Sequence, residues 1–433
     1  MPVNKKLLFP GFVFVLFVFR IAYGLVTEFW EPDEFYTYML GLKFYCTGNW
    51  PYFGPNVVYN SYQIPGGLQA LLVGLPLFVF PFPEAPLIFL NLLTFSALCF
   101  LSWYIEKRVP GLPRWLIWGL VLTLPWSVQF GTRMINPSYL LVFSILFFIS
   151  FFELMPVYSN KLISPRLACF LLGFAPACSM QIHLSWVLMI PFILAVFLVF
   201  LRRHTLRLHH AALFFSGLLA GLLTLLPTLF VYGLSAYKDA AFYLSFQKEG
   251  IWNLVPVFIR FLSFSTYEVP YFSGTPADRL LMIKESPWMI PFTGIVLVFG
   301  FLQLAVFIVS FFRKDDREWK QVKRISFFTV ILIFIYFMFS QKGPSSHTFY
   351  ILYPVSLLYS MYCYRKIFKL RRYFRTVFIV VLVSGTFFLA GMGRYKYHNS
   401  SMYLNRTVVR EAIGTRECGI MVDEARNRWK DRK

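Results

Sequence analysis

The sequence predicts an all-α, polytopic membrane protein, on three observations. Hydrophobic residues make up 58% of the 433 and charged residues only 14%, against about a quarter charged in a soluble domain. Apolar runs of about 18 residues or more recur from end to end, the length that crosses a bilayer as a helix. The formal net charge of +21 is gathered in Lys/Arg clusters that flank those runs. Such a distribution reports topology through the positive-inside rule rather than nucleic-acid binding, so no nucleic-acid partner is expected.

In chain order the predicted spans are 7–27, 86–105, 115–131, 137–156, 166–180, 184–201, 211–233, 288–312, 325–340, 348–364 and 376–393. The first run follows Lys5 and Lys6 and carries no small-residue cleavage site, so it reads as a retained signal anchor. Basic clusters mark the cytoplasmic side: Lys5/Lys6, Lys107/Arg108/Arg114, Lys161/Arg166, Arg202/Arg203/Arg207, Arg313 to Arg324, and Arg365 to Arg375. From Arg114 onward, each consecutive pair of clusters encloses two spans. Between Lys6 and Lys107 the number must also be even, yet 7–27, 64–82 and 86–105 would make three. The 64–82 stretch carries Pro65, Gly66, Gly67, Pro76 and Pro81 and is the weakest helix of the three, so it is expected to lie at the interface or to re-enter from the outer side. The count then gives 11 crossings, with the N-terminus inside and the C-terminus outside. One transmembrane domain covers 1–393, with a first outer loop at 28–85 and a long one at 234–287. A polar, basic tail covers 394–433 and suits anionic headgroups or partial disorder. The six cysteines (Cys46, Cys99, Cys169, Cys178, Cys363, Cys418) are scattered without a CxxC, giving neither a metal pattern nor a disulfide framework.

This bookkeeping collects the polar residues that are hardest to explain as packing on the outer face. Foremost is Trp30-Glu31-Pro32-Asp33-Glu34-Phe35-Tyr36-Thr37-Tyr38, which puts three carboxylates within four residues at the end of the first span. Carboxylates at that depth are costly and mark a functional site by default. The bland reading is a helix first turn whose acids complement the dipole after Pro32, with Tyr36 and Tyr38 in an aromatic belt. On a helix starting near Pro32, Asp33 and Glu34 point about 100° apart, so only one can aim at a given atom. Arg133 and Asn136, Gln181 and His183, and Lys342 and His347 fall on the same side. Arg133 suits a bidentate phosphate contact or a snorkelling role; Asn136, before Pro137, suits a helix cap. His183 with Gln181 suits a ligand site or packing. Lys342 and His347 flank Gly343-Pro344-Ser345-Ser346, as a phosphate clamp or an ordinary turn. The 234–287 loop offers Tyr237, Tyr243, Trp252, Tyr267 and Tyr271 as stacking faces for sugars, or as interfacial residues.

Several of these segments together resemble the C-class (GT-C) glycosyltransferases, in particular bacterial relatives of the protein O-mannosyltransferases and lipid A aminoarabinose transferases. They are Asp33-Glu34 after the first span; Gly48-Asn49-Trp50-Pro51-Tyr52-Phe53-Gly54-Pro55; and Ile64-Pro65-Gly66-Gly67-Leu68. Further on come Trp126 with Arg133-Met134-Ile135-Asn136-Pro137-Ser138, Gly173-Phe174-Ala175 with Gln181-Ile182-His183-Leu184-Ser185, and His347-Thr348-Phe349-Tyr350-Ile351-Leu352-Tyr353-Pro354. The matches cover roughly 1–354 and each is short. The resemblance implies a GT-C fold with about 11 spans and membrane-parallel helices in the first outer loop. It implies transfer of a sugar from a polyprenyl-phosphate donor to a glycan, lipid or protein acceptor on the extracytoplasmic face of a bacterial cytoplasmic membrane, usually with inversion. Asp33 is then the general base and Glu34 orients the acceptor or Asp33, while Glu31, Tyr38, Arg133, Asn136, Gln181, His183, Lys342, His347 and Tyr350 bind donor or acceptor. Some members of the family carry an Asp near this position, where this chain has Asn136.

The chemistry fits these residue types. A phosphate leaving group asks for positive charge and hydrogen-bond donors. The acceptor hydroxyl asks for a base about 2.6–3.2 Å away, and partial desolvation strengthens a carboxylate in that task. No HExxH or DxD spacing occurs, so metal-independent transfer without a cofactor is expected, with an auxiliary divalent cation left open. The competing class is a transporter or flippase of lipid-linked sugars. Such proteins commonly show paired repeats with broken helices near the midplane; no internal symmetry is evident, and the acids sit at one mouth.

Overall fold

A computed structural model describes residues 5–27, 32–56, 63–204, 207–233, 246, 248–262, 275–339, 350–370, 373–398 and 402–417. It is a helical bundle with one small two-stranded sheet. In order, α1 is Lys5–Thr27, α2 Pro32–Thr47, β1 Phe53–Asn56, β2 Gln63–Pro65, α3 Leu68–Val79, α4 Ala85–Arg108, α5 Arg114–Thr123, α6 Pro125–Gly131, α7 Asn136–Leu154 and α8 Pro165–Met180. A 3₁₀ turn, Leu184–Met189, leads into α9 Ile190–Arg202, then α10 Leu208–Leu222 and α11 Leu226–Tyr232. After a second turn at Lys248–Asn253 come α12 Leu254–Leu262, α13 Pro276–Glu285, α14 Met289–Phe312 and α15 Arg317–Met338. A last 3₁₀ turn, Tyr350–Leu352, precedes α16 Tyr353–Leu370, α17 Tyr373–His398 and α18 Met402–Thr415.

Among the described residues, seven helices are long and apolar enough to cross a membrane, or eight if the bent pair α10–α11 is one span. The chain is a multi-pass membrane protein. Each of the eleven predicted spans falls on a helix or on two helical pieces joined by a short break. The 64–82 stretch instead gives β2 and the 12-residue α3. At 1.5 Å per residue α3 is about 18 Å long, well short of a hydrocarbon core of about 30 Å, and it packs against α2 and α4.

Two breaks follow from proline. Pro125 has no N–H for the carbonyl of Val121, and α5 ends at Thr123. The Ser127 hydroxyl donates to the Val121 and Leu124 carbonyls, at 3.0 Å each. Arg20, wholly buried in α1, donates to the carbonyls of Leu122 and Ser127, also at 3.0 Å each. Backbone groups freed within a membrane must be satisfied internally, and here they are. The second break, ahead of Pro227, bends α10 by 68° relative to α11.

Close packing of α8 on α10 is set by glycines. A Cβ on Gly217 would lie 1.9 Å from the Phe170 carbonyl, and one on Gly173 2.1 Å from that of Phe214. With Gly221 one turn along, Gly217 makes a small-xxx-small stripe of the kind that lets membrane helices approach.

Contacts gather the basic clusters at one end of the bundle. Arg114 lies over the Phe9 ring at 3.6 Å and Arg375 over Trp115 at 5.9 Å. Arg108 donates to the Asn160 carbonyl at 2.7 Å and pairs with buried Glu153, which also accepts from Tyr104 and from the Leu162 N–H, at 2.8 Å each. Asp315 pairs with Lys323 at 2.6 Å and with Lys366. The predicted tail differs from expectation: α17 continues to His398, and α18 is a packed helix with Val409, Ala412 and Ile413 buried. Arg406 on α18 donates to the Leu25 carbonyl at 2.7 Å and lies 3.8 Å from Glu84. Thus α18 sits at the opposite end from Lys5, alongside the first connection.

Candidate functional site

The site grows from the first turn of α2. Pro32 opens the helix, where its fixed φ suits the start and its missing N–H costs nothing. Asp33 and Glu34 follow and diverge as helix geometry requires: Asp33 is exposed, whereas Glu34 retains 2% of its surface. Glu34 Oε1 accepts from Arg133 Nε at 2.6 Å. One turn further, the Thr37 hydroxyl donates to Asn136 Oδ1 at 3.1 Å. Positions 34 and 37 therefore meet 133 and 136, so α2 docks in register on the α6–α7 connection. Asn136 is the first residue of α7, whose cap position is Ile135; the reading of Asn136 as the cap is corrected accordingly.

A polar layer continues inward from this contact. The Tyr23 hydroxyl donates to Gln129 Oε1 at 2.8 Å, and Thr94 donates to the Gly131 carbonyl at 2.7 Å. Gly24 brings α1 against Thr132 and Asn91, where an added Cβ would sit 3.0 Å from the Thr132 carbonyl. Five elements (α1, α2, α4, α6 and α7) thus hold the Glu34–Arg133 pair. Its side chains are 3% and 12% exposed, so water screens it little.

The other predicted residues are placed elsewhere. Tyr38 is fully buried and its hydroxyl donates to the Pro83 carbonyl at 3.0 Å, tying α2 to the start of α4. Gln181 is buried; its amide donates to the Gly221 carbonyl at 2.8 Å, and its Oε1 accepts from Thr224 at 2.7 Å. Gly66, at φ +115°, passes so close that a Cβ there would lie 2.5 Å from Gln181 Oε1. The Gly67 N–H donates to the Thr224 carbonyl at 3.1 Å. Gln181 is therefore the post on which the β1–β2 ribbon and the α10–α11 bend rest. His183 Nδ1 accepts from the Ser185 N–H at 3.1 Å and caps the 3₁₀ turn before α9. Tyr350 is buried against Trp126, Phe130 and Tyr353. Glu31, Lys342 and His347 lie outside the described residues, as do Tyr237, Tyr243, Tyr267 and Tyr271; Trp252 is 81% exposed.

Residues that sequence reasoning missed are Arg20, Thr37 and Arg406. A lone arginine inside an apolar run is itself a flag, and Arg20 carried it. The partners of Thr37 and Arg406 leave no local signal.

Among the described residues no group of three His, Cys, Asp or Glu side chains comes together as a metal site. A cleft of about 640 Å³ opens between α1, α4 and α5, lined by Phe9, Phe17, Leu92, Phe95 and Trp118, with Arg114 at its rim. It lies at the basic end and is mostly apolar, and its arginine is engaged by Glu106 at 3.1 Å. No family model, curated protein or solved structure matches the chain.

Proposed function

We propose that the protein is a membrane glycosyltransferase. In this reading it moves a sugar from a polyprenyl-phosphate donor to a glycan, lipid or protein acceptor outside the cytoplasm, through an eleven-span GT-C-like bundle. The observation that carries the reading is the divergence of Asp33 and Glu34. One carboxylate is exposed at the mouth of the bundle, where an acceptor hydroxyl can reach it. The other is buried and holds an arginine at the same mouth. An exposed base beside an oriented cation is what transfer from a phosphate-linked donor asks for.

The roles divide accordingly. Asp33 takes the acceptor proton as the new glycosidic bond forms. Arg133 meets the charge that develops on the departing phosphate, and Glu34 positions Arg133 rather than the acceptor. Tyr38 ties α2, which carries Asp33 and Glu34, to the start of α4, and Gln181 supports the β1–β2 ribbon. Burial of Glu34 also argues against a two-carboxylate glycosidase pair, which needs both acids facing one bond.

The rival reading, a transporter of lipid-linked sugars, draws on the breaks at α5–α6 and α10–α11. At the first break the freed carbonyls are engaged by Ser127 and Arg20 rather than aimed at a cargo, which favours the enzyme. The test is transfer by the purified protein from a short-chain polyprenyl-phosphate sugar. Asp33→Asn should abolish turnover at unchanged fold, while Arg133→Lys should raise the donor KM with less effect on kcat. Undiminished turnover by Asp33→Asn would end the assignment of the base. Movement of the intact lipid-linked sugar across vesicles, without transfer, would favour the transporter.

A further inference from the structure

We propose that the cleft between α1, α4 and α5 binds one anionic phospholipid, with its phosphate on Arg114 and an acyl chain lying between Phe9 and Phe17. The cleft measures about 640 Å³, within the range of about 300–1,000 Å³ of pockets that hold a discrete small molecule. Phe9 and Phe17 line it from α1, Leu92 and Phe95 from α4, and Arg114 and Trp118 from α5. Phe14, on the same wall of α1, is exposed, so the cleft opens outward from the bundle.

The cleft has a charged end and an apolar end, in the order that a lipid presents them. At the rim Arg114 lies 3.6 Å over the Phe9 ring, and Phe9 meets Trp118 edge-on at 5.2 Å. At the floor Phe17 meets Phe95 at 4.9 Å. With 1.5 Å of rise per residue, the wall from Phe9 to Phe17 is about 12 Å long. It runs from the basic end toward the middle of the bundle, as a tail runs inward from its headgroup.

Charge at the rim selects the headgroup. Glu106 Oε2 accepts from Arg114 Nε at 3.1 Å and from Trp118 Nε1 at 2.8 Å, which fixes the guanidinium in place. Its two terminal amino groups bond to no described residue, and 51% of the side chain is exposed. They remain as a pair of donors for a phosphate. Lys107, beside Glu106, and Arg375, 5.9 Å over Trp115, are exposed at the same end. Three cations thus stand about one carboxylate that is already engaged, which favours an anionic headgroup over a zwitterionic one. An apolar helix from a second copy would leave those charges unmet. By the positive-inside rule the lipid belongs to the cytoplasmic leaflet. The inference does not depend on the proposed transfer reaction, whose residues lie at the other end of the bundle.

The test is native mass spectrometry of the purified full chain in detergent, titrated with phosphatidylglycerol or with phosphatidylcholine. The wild type should take up one phosphatidylglycerol at about fivefold lower concentration than phosphatidylcholine, the worth of one basic residue beside an anionic surface. Equal uptake would overturn the anionic site, and this comparison needs no variant. Arg114→Gln, which keeps a donor for Glu106, should bind the two lipids equally; a preference that survives in it would overturn the role of Arg114. Vesicles of dibrominated lipid locate the site. Dibrominated phosphatidylglycerol should quench wild-type tryptophan fluorescence more than dibrominated phosphatidylcholine does, and the excess should vanish in Trp118→Phe. An excess that persists would overturn the cleft. A polyprenyl phosphate that displaces phosphatidylglycerol at equal concentration, or a dimer whose formation excludes lipid, would overturn the assignment to a diacyl phospholipid.

Discussion

The Glu34–Arg133 pair can be weighed by a double-mutant cycle. Two unit charges about 4 Å apart at an effective dielectric near 20 attract by about 4 kcal/mol before desolvation is counted. Both side chains are nearly closed to water, at 3% and 12% exposure, so screening removes little, but burial of the two charges cancels much of the gross attraction. What survives is close to the net value of a hydrogen bond between charged groups, about 1.5–3 kcal/mol. Glu34→Gln keeps an acceptor for Arg133 Nε and removes the charge; Arg133→Met removes the donor and keeps the bulk. Each alone removes this contact from a largely buried charge and should cost about 2–4 kcal/mol. Together they should cost less than the sum, with a coupling of about 2 kcal/mol. Reversible unfolding in SDS mixed micelles measures all four proteins. A coupling within about 0.5 kcal/mol of zero, the range of independent sites, would refute the claim that Glu34 holds Arg133.

Arg20→Leu strips donors from the Leu122 and Ser127 carbonyls and should cost about 2–6 kcal/mol in the same unfolding assay, at about 1–3 for each unsatisfied group; wild-type stability would refute its role as the staple of the α5–α6 break. Gly217→Val drives a side chain into the Phe170 backbone, which cannot yield as a flexible side chain would, so folded, monodisperse protein should be lost on size exclusion; an unchanged elution profile would refute the tight α8–α10 contact. Burial raises the Asp315 carboxyl, but hydrogen bonds and charge from Lys323 and Lys366 more than offset this and hold it below its ordinary 3.8. A depressed folded pKa means that its stabilisation is complete above the unfolded value and is lost as pH falls through the folded one. Unfolding midpoints should therefore show a full, pH-independent contribution from Asp315 between about pH 5 and 7 and its loss below about pH 4, a loss absent in Asp315→Asn; an acid response identical in the variant would refute it.

The seven long spans, or eight with the bent α10–α11 pair, were legible because a bilayer leaves little choice: a run of apolar residues long enough to cross becomes a helix, and prolines mark where it breaks. The start of α2 at Pro32 was legible for a similar local reason, as was the splitting of Asp33 from Glu34. What the sequence could not disclose was partner choice across long separations. Glu34 meets Arg133, and Thr37 meets Asn136, only because α2 lands in register on a connection almost a hundred residues away. Gln181 read as a substrate ligand because it stood beside a histidine in a motif; in the fold its amide is committed to the backbone of α10. The tail read as headgroup-binding or partly disordered because it is charged, yet α18 is helical, with Val409, Ala412 and Ile413 buried on one face and Arg406 bonded to the Leu25 carbonyl.

The acidic cluster shows how burial separates roles that composition leaves equivalent. Asp33 and Glu34 are adjacent, carry the same charge, and share one helical turn. In the proposed transfer a base must exchange its proton with an incoming hydroxyl, which asks for exposure, and of the two carboxylates Asp33 is the exposed one. A counterion must hold one geometry with little screening by water, so it gains from enclosure, and Glu34 is enclosed by α2 and the turn that bears Arg133. Exchanging the two residues, as in Asp33→Glu with Glu34→Asp, preserves charge and composition but shortens the inner arm by one methylene and lengthens the outer one. The inner carboxylate would then fall short of Arg133 Nε by more than a hydrogen bond tolerates at its present 2.6 Å, while the outer one would keep its access to solvent. A pair that tolerated this exchange without loss of stability would have to be held by something other than the contact described.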